Sequence, residues 1–239
     1  MNISRSFAFL FGLSVIALIT SAPRPLDLLP LAVGSVIFAI VIVLGLRAAA
    51  PFRRATPILE SLGRRETLLP AYWVNLGLAI LVGILMGAVL LTLLFSLISV
   101  EPRLSARLAG RADQPAWMPW VLAFEASILE ELLFRLFLMS GIVWLLTRLK
   151  RTDKDKPSSA IVWIALSVSA LGFGLVHLPS WFLVVNPTPF LITGVLLLNG
   201  VGGLVLGQVY WRWGIEAAML CHFAGDMMIQ GIGPRLLGA

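Results

Sequence analysis

The chain has 239 residues, of which 59% are hydrophobic and only 13% charged, and its mean hydropathy is +0.96. Soluble domains carry about 25% charged residues, so a water-soluble globular fold is excluded and a polytopic membrane protein is implied. The excess of 18 Lys and Arg over 12 Asp and Glu lies in short stretches between apolar runs, which reads as membrane topology rather than a nucleic-acid surface, and the single cysteine, Cys221, excludes an intrachain disulfide or a zinc–cysteine cluster.

About 20 apolar residues cross a bilayer as a helix. That rule predicts spans at Phe7–Ala22, Leu29–Leu46, Tyr72–Val100, Trp117–Leu149, Ser159–His177, Phe190–Tyr210 and Ile215–Ile229. The expected fold class is all-α: a polytopic transmembrane helical bundle of about seven spans, a single domain over residues 1–239. Phe7–Thr20 after Asn2–Arg5 also has the outline of a signal peptide with Ala22 at the cleavage site, but a second apolar run follows almost at once, which favours an uncleaved span. Arg47, Arg53, Arg54, Arg64 and Arg65 mark the segment after the second span as cytoplasmic, and Arg148, Lys150, Arg151, Lys154 and Lys156 do the same after the fourth. The N-terminus is then cytoplasmic and Ala239 external, in a plasma (inner) membrane, while the connection after the third span carries only Arg103, Arg107 and Arg111. The third and fourth runs exceed a bilayer's thickness, which predicts tilt or interfacial turns near Pro70 and Pro119. Leu178–Pro189 is uncharged and includes Pro179, Trp181, Pro187 and Pro189, the composition of a re-entrant or interfacial loop over a cavity. Gly83 with Gly87, and Gly203 with Gly207, have the spacing that lets two helices of one bundle approach closely. Tyr72, Trp73, Trp117, Trp120, Tyr210, Trp211 and Trp213 sit near span ends as interfacial anchors.

Polar groups inside the apolar runs carry the functional signal, because each costs a few kcal/mol at the bilayer centre unless paired or in a wet cavity. In Phe124–Arg135, Glu131 and Arg135 are four residues apart on one helix face and read as a structural ion pair. Glu130 points about 100° away from that pair, which leaves its carboxyl for chemistry. Glu125 lies about 140° around the helix from Glu130 and is expected to face water or the interface. Both histidines of the chain, His177 and His222, fall in or at the end of apolar runs. His222 and Asp226 share a face of the last span, and hydrocarbon forces such groups to converge. Cys221 reads as a small packing residue, and Glu216 as interfacial.

At these residues the chain resembles a known family. Glu130-Glu131-Leu-Leu-Phe-Arg135 matches EExxxR, Phe173-Gly-Leu-Val-His177 matches FxxxH, and His222-Phe-Ala-Gly-Asp226 matches HxxxN/D, in order on late spans. The stretch is similar to the CPBP family, also called Abi or CAAX-protease-like intramembrane proteases, over roughly 121–230. The resemblance divides the chain into N-terminal spans of low motif content, 1–116, and a catalytic core, 117–230. It implies intramembrane proteolysis by a glutamate-activated water, with Glu130 as general base, His177 helping to hold the water, and His222 and Asp226 on the oxyanion side. The substrate class implied is a protein or peptide in contact with membrane lipid, with no nucleic acid.

Related proteases have Asn where this chain has Asp226, and an amide donates to an oxyanion whereas an ionised carboxylate does not. Asp226 is therefore protonated, an orienter of His222, or a metal ligand. Glu130, His177, His222 and Asp226 also form an O/N donor set that zinc accepts, with water in the open position. One difficulty is depth. Glu130 lies about 20 Å from Trp117 along its helix, yet His177 falls at the outer end of its span and His222 nearer the inner end of its own. Tilt, a kink at Gly172 and Gly174, or continuation of the fifth span past Pro179 must bring them together. Two rival readings stand beside the protease: a non-catalytic scaffold or immunity protein on the same fold, and a proton-coupled transporter, against which the lack of inverted repeats argues.

Overall fold

A computed structural model of the chain describes residues 3–22, 26–52, 55–63, 70–105, 114–150, 156–183 and 185–237. Among these residues the regular structure is helical throughout. In chain order the helices are α1 (Ile3–Ser21), α2 (Leu28–Ala49), the short α3 (Pro57–Gly63), α4 (Pro70–Val100), α5 (Met118–Leu149), α6 (Ser159–Phe182), α7 (Pro189–Trp213) and α8 (Ile215–Asp226). Arg53, Arg54, Arg64, Arg65, Arg107, Arg111, Arg151 and Lys154, on which part of the topology reading rests, lie outside the described residues.

Local chemistry sets several of these boundaries. The Asp27 carboxylate accepts from the Leu29 amide at the start of α2, and Ser158 and Thr188 cap α6 and α7 in the same way. Pro189 follows Thr188 in the first turn of α7, where its missing N–H is no loss. Gly214, at φ 93°, takes the left-handed backbone that separates α7 from α8.

Among the described residues six helices, all but α3 and α8, are long and apolar enough to cross a membrane. Outward-facing Val36, Ile40, Leu85, Val89, Leu175 and Leu197 are exposed, as contact with lipid requires. The predicted seventh span takes a different form. Its α-helical part, α8, has 12 residues and continues as a π-helix over Met227–Ile232 and a last turn over Gly233–Leu237. Ile215, Ala218 and Cys221 in α8 have no exposure, because α4, α5 and α7 pack around it. Protein rather than hydrocarbon is the solvent of this helix.

Small residues make that packing possible. A Cβ on Gly83 would collide with the backbone carbonyl of Cys221, and one on Gly87 would come within 2.7 Å of the Gly225 carbonyl, so α4 and α8 meet backbone to backbone. On the other side of α5, α1 and α2 pack against it, with Leu10, Ser14, Ala17, Ile42 and Leu46 buried.

The first part of one predicted loop, Leu178–Pro189, is instead helix. The helix α6 runs through Pro179 to Phe182, so only 183–188 connects it to α7. The proline costs little so near the helix end, where the Ser180 hydroxyl donates to the His177 carbonyl at 2.8 Å and the Leu183 amide to the Pro179 carbonyl at 3.3 Å. Glu216 also does more than its expected place at an interface requires. Its Oε1 accepts from the Ile58 and Leu59 amides at 3.2 and 3.1 Å, and the adjacent Ile215 amide donates to the Ala55 carbonyl at 2.8 Å, which clasps the start of α8 to α3.

Candidate active site

The polar residues of α5, α6 and α8 meet on one cavity of about 420 Å³. Beside it lies a buried ion pair. Glu131 and Arg135 are both without exposure, with Oε1 3.2 Å from Nη1. This is a charge contact and not an aligned hydrogen bond, since Arg135 Nε and Nη1 and Glu131 Oε2 make none. Two other contacts hold the guanidinium: Nη2 reaches the Gly203 carbonyl of α7 at 3.4 Å, and the Phe173 ring lies 4.5 Å below its carbon, a cation–π arrangement.

Around Arg135 the backbone is a π-helix, Leu132–Met139. π-turns misalign carbonyls and are frequent at functional sites. Two hydroxyls satisfy carbonyls here, Ser169 donating to Phe134 at 2.7 Å and Ser140 to Arg135 at 3.3 Å.

The Glu131 Oε1 atom also accepts from His222 Nδ1 at 2.9 Å. That bond turns His222 Nε2 toward Glu130 Oε2, 3.6 Å away, and Asp226 Oδ1, 3.8 Å away. His177 is oriented in the same manner. Its Nδ1 lies 2.7 Å from the Phe173 carbonyl, and because a carbonyl only accepts, that nitrogen carries the proton. His177 Nε2 then faces Glu130 Oε1 at 3.7 Å. The two imidazoles thus address the two oxygens of one carboxylate. Phe173 sits between them, its ring centroid 4.7 Å from that of His177 and 5.9 Å from that of His222.

All four residues singled out for chemistry, Glu130, His177, His222 and Asp226, line this cavity, and the depth difficulty disappears because α6 continues past Pro179. Glu125, expected to face water or the interface, lines the same cavity, where α8 and the π-helix after it pack against this part of α5. Sequence reasoning also missed Asn199 and Gln230 on the cavity wall. Asn199 had a signal, being an amide inside the apolar run of α7. Gln230 Nε2 donates to Asp226 Oδ2 at 2.6 Å.

Glu130, His177, His222 and Asp226 are of types that zinc takes. Among the described residues, however, no three His, Cys, Asp or Glu groups stand together closely enough to hold a metal ion.

Residues 112–228 match the sequence model of the Rce1-like family, described as type II CAAX prenyl endopeptidase Rce1-like. This stretch belongs to the CAAX-protease-like family. The CAAX-protease-like region is close to half of the chain and contains all three motifs, the π-helix of α5 and the whole of α8. Its family is one of membrane endopeptidases, and the chain around it is an integral, multi-pass membrane protein. No curated protein and no solved structure matches the chain.

Proposed function

We propose that the chain is an intramembrane endopeptidase whose catalytic core, 117–230, hydrolyses a peptide bond of a protein or peptide substrate with a water activated by Glu130. The observation that carries this reading is the approach of both Nε2 atoms to the Glu130 carboxylate at 3.6 and 3.7 Å. Those separations are too long for direct hydrogen bonds and suit groups that share a small polar molecule between them. In the proposed step the water oxygen bonds to the scissile carbonyl carbon, its proton passes to Glu130, and the C=O electron pair moves onto the oxygen. Collapse re-forms the carbonyl and breaks the C–N bond, and Glu130 returns the proton to the departing nitrogen. His177 holds the water. His222 stands on the oxyanion side, and Asp226, an acceptor fixed by Gln230, orients it. We place the N-terminus in the cytoplasm and the protein in the plasma membrane, with 1–116 as the lipid-facing support of the core.

Comparative proteomics of membrane fractions tests the reading. Cells carrying Glu130→Gln should accumulate a precursor that cells with the wild-type chain process, while the variant keeps its melting temperature in detergent micelles. A scaffold or immunity protein would keep its phenotype in Glu130→Gln, and unaltered processing would end the protease reading.

A further inference from the structure

Hydrolysis of an amide needs a hydrogen-bond donor where negative charge develops on the carbonyl oxygen. The residues of the three motifs supply that donor poorly. Asp226 accepts from Gln230, and His222 has committed Nδ1–H to Glu131, so its Nε2 donates only in the doubly protonated ring. The Ser180 hydroxyl on the cavity wall is spent on the His177 carbonyl.

Asn199 is differently placed. Its amide nitrogen donates to the Val195 carbonyl one turn earlier, at 2.9 Å. Since a carbonyl accepts only, this fixes which end of the amide is nitrogen, and one N–H remains. The level of Asn199 follows from a second contact. Helices α5 and α7 run in the same direction, with α6 returning between them, and Arg135 of α5 touches the Gly203 carbonyl of α7. One turn before Arg135 is Glu131, beside Glu130; one turn before Gly203 is Asn199. Asn199 lines the cavity with Glu130, His177, His222 and Asp226.

We infer that Asn199 is the neutral oxyanion donor of this site, giving from α7 the N–H that a carboxylate at position 226 does not give. The inference rests on the endopeptidase reading above and adds a residue to it. During attack the remaining Nδ2–H of Asn199 bonds to the carbonyl oxygen as the C=O pair moves onto it, and the bond is released when the carbonyl re-forms.

The test uses the full chain in membranes and in detergent micelles. Asn199→Asp keeps the shape and removes the donor, Asn199→Ala removes the group, and Asn199→Gln restores an amide. Each is compared with the wild type and Glu130→Gln for precursor accumulation, then for kcat and KM on a quenched fluorescent peptide spanning the cleavage site so found. Asn199→Asp and Asn199→Ala should accumulate precursor and lose about 100-fold in kcat with KM within about 3-fold, and Asn199→Gln should recover part of the loss. If Asn199→Asp does not fold, judged by its melt, Asn199→Ala carries the comparison. Wild-type turnover in Asn199→Ala, with Glu130→Gln blocked, overturns this inference alone. Normal processing by Glu130→Gln overturns the endopeptidase reading and this inference with it.

Discussion

A single oxygen, Glu131 Oε1, receives both the His222 ring and the Arg135 guanidinium, so the residue next to the proposed base holds the site in shape. Removing its charge takes the paired carboxylate from an unexposed Arg135, and breaking a buried pair costs about 3–5 kcal/mol. Glu131→Gln is therefore expected to lower the melting temperature in micelles markedly, although its amide oxygen still accepts from His222. A melt unchanged from wild type would show that Phe173 and the Gly203 carbonyl alone suffice for Arg135. The metal question belongs to the same scale. With no three His, Cys, Asp or Glu groups among the described residues close enough to hold an ion, purified wild type and His222→Ala are expected to carry equal, substoichiometric zinc by elemental analysis. Stoichiometric zinc lost in His222→Ala would mean that the ligands close on an ion. The spacing Glu131–Arg135 was enough to predict their pairing. The engagement of His222 with the same carboxylate was not, because 91 residues separate them and no helical period links α5 to α8.

The elements are held close by what their residues lack. Gly12 has nothing within 4 Å of a built Cβ, whereas Gly83 has the Cys221 carbonyl. Gly83→Ala must push α8, and His222 with it, away from α4, so the melting temperature and precursor processing should both fall while Gly12→Ala behaves as wild type. Equal behaviour of the two would contradict the close approach. In α5 the π-helix depends on partners from outside its own hydrogen-bond ladder. Ser169→Ala leaves the Phe134 carbonyl without its hydroxyl in a buried setting, a loss of about 1 kcal/mol, whereas Ser105→Ala, which loses only a solvent-accessible bond to the Pro102 carbonyl in the connection after α4, should change the same melt much less. The GxxxG spacings were legible because small residues at that interval suit helix contact. The π-turn was not, since no residue type encodes it by itself, and the passage of α6 through Pro179 was only one of three alternatives, because local chemistry argues for a break there and the surrounding bundle overrides it.

For the whole molecule, the arginine and lysine stretches predict a cytoplasmic N-terminus. In a Cys221→Ser background, a cysteine placed at Lys150 should react with a membrane-impermeant maleimide only in inside-out vesicles, and one at Glu101 only in intact cells; the reverse pattern would invert the topology. Taken alone, the sequence determined the class and the list of chemical groups. Bilayer hydropathy leaves helices as the way to satisfy the backbone of such a chain, and intramembrane Glu130, Glu131, His177, His222 and Asp226 stand out because each is costly in hydrocarbon. Only the tertiary structure decided which groups share a cavity. Glu125 came in from an expected interface, Asn199 and Gln230 joined the wall, and α8 became a buried helix between α4, α5 and α7. The physical reason is that sequence spacing fixes angles around one helix, whereas the distance between residues on different helices depends on crossing, tilt and close approach, which are set by packing across the whole bundle.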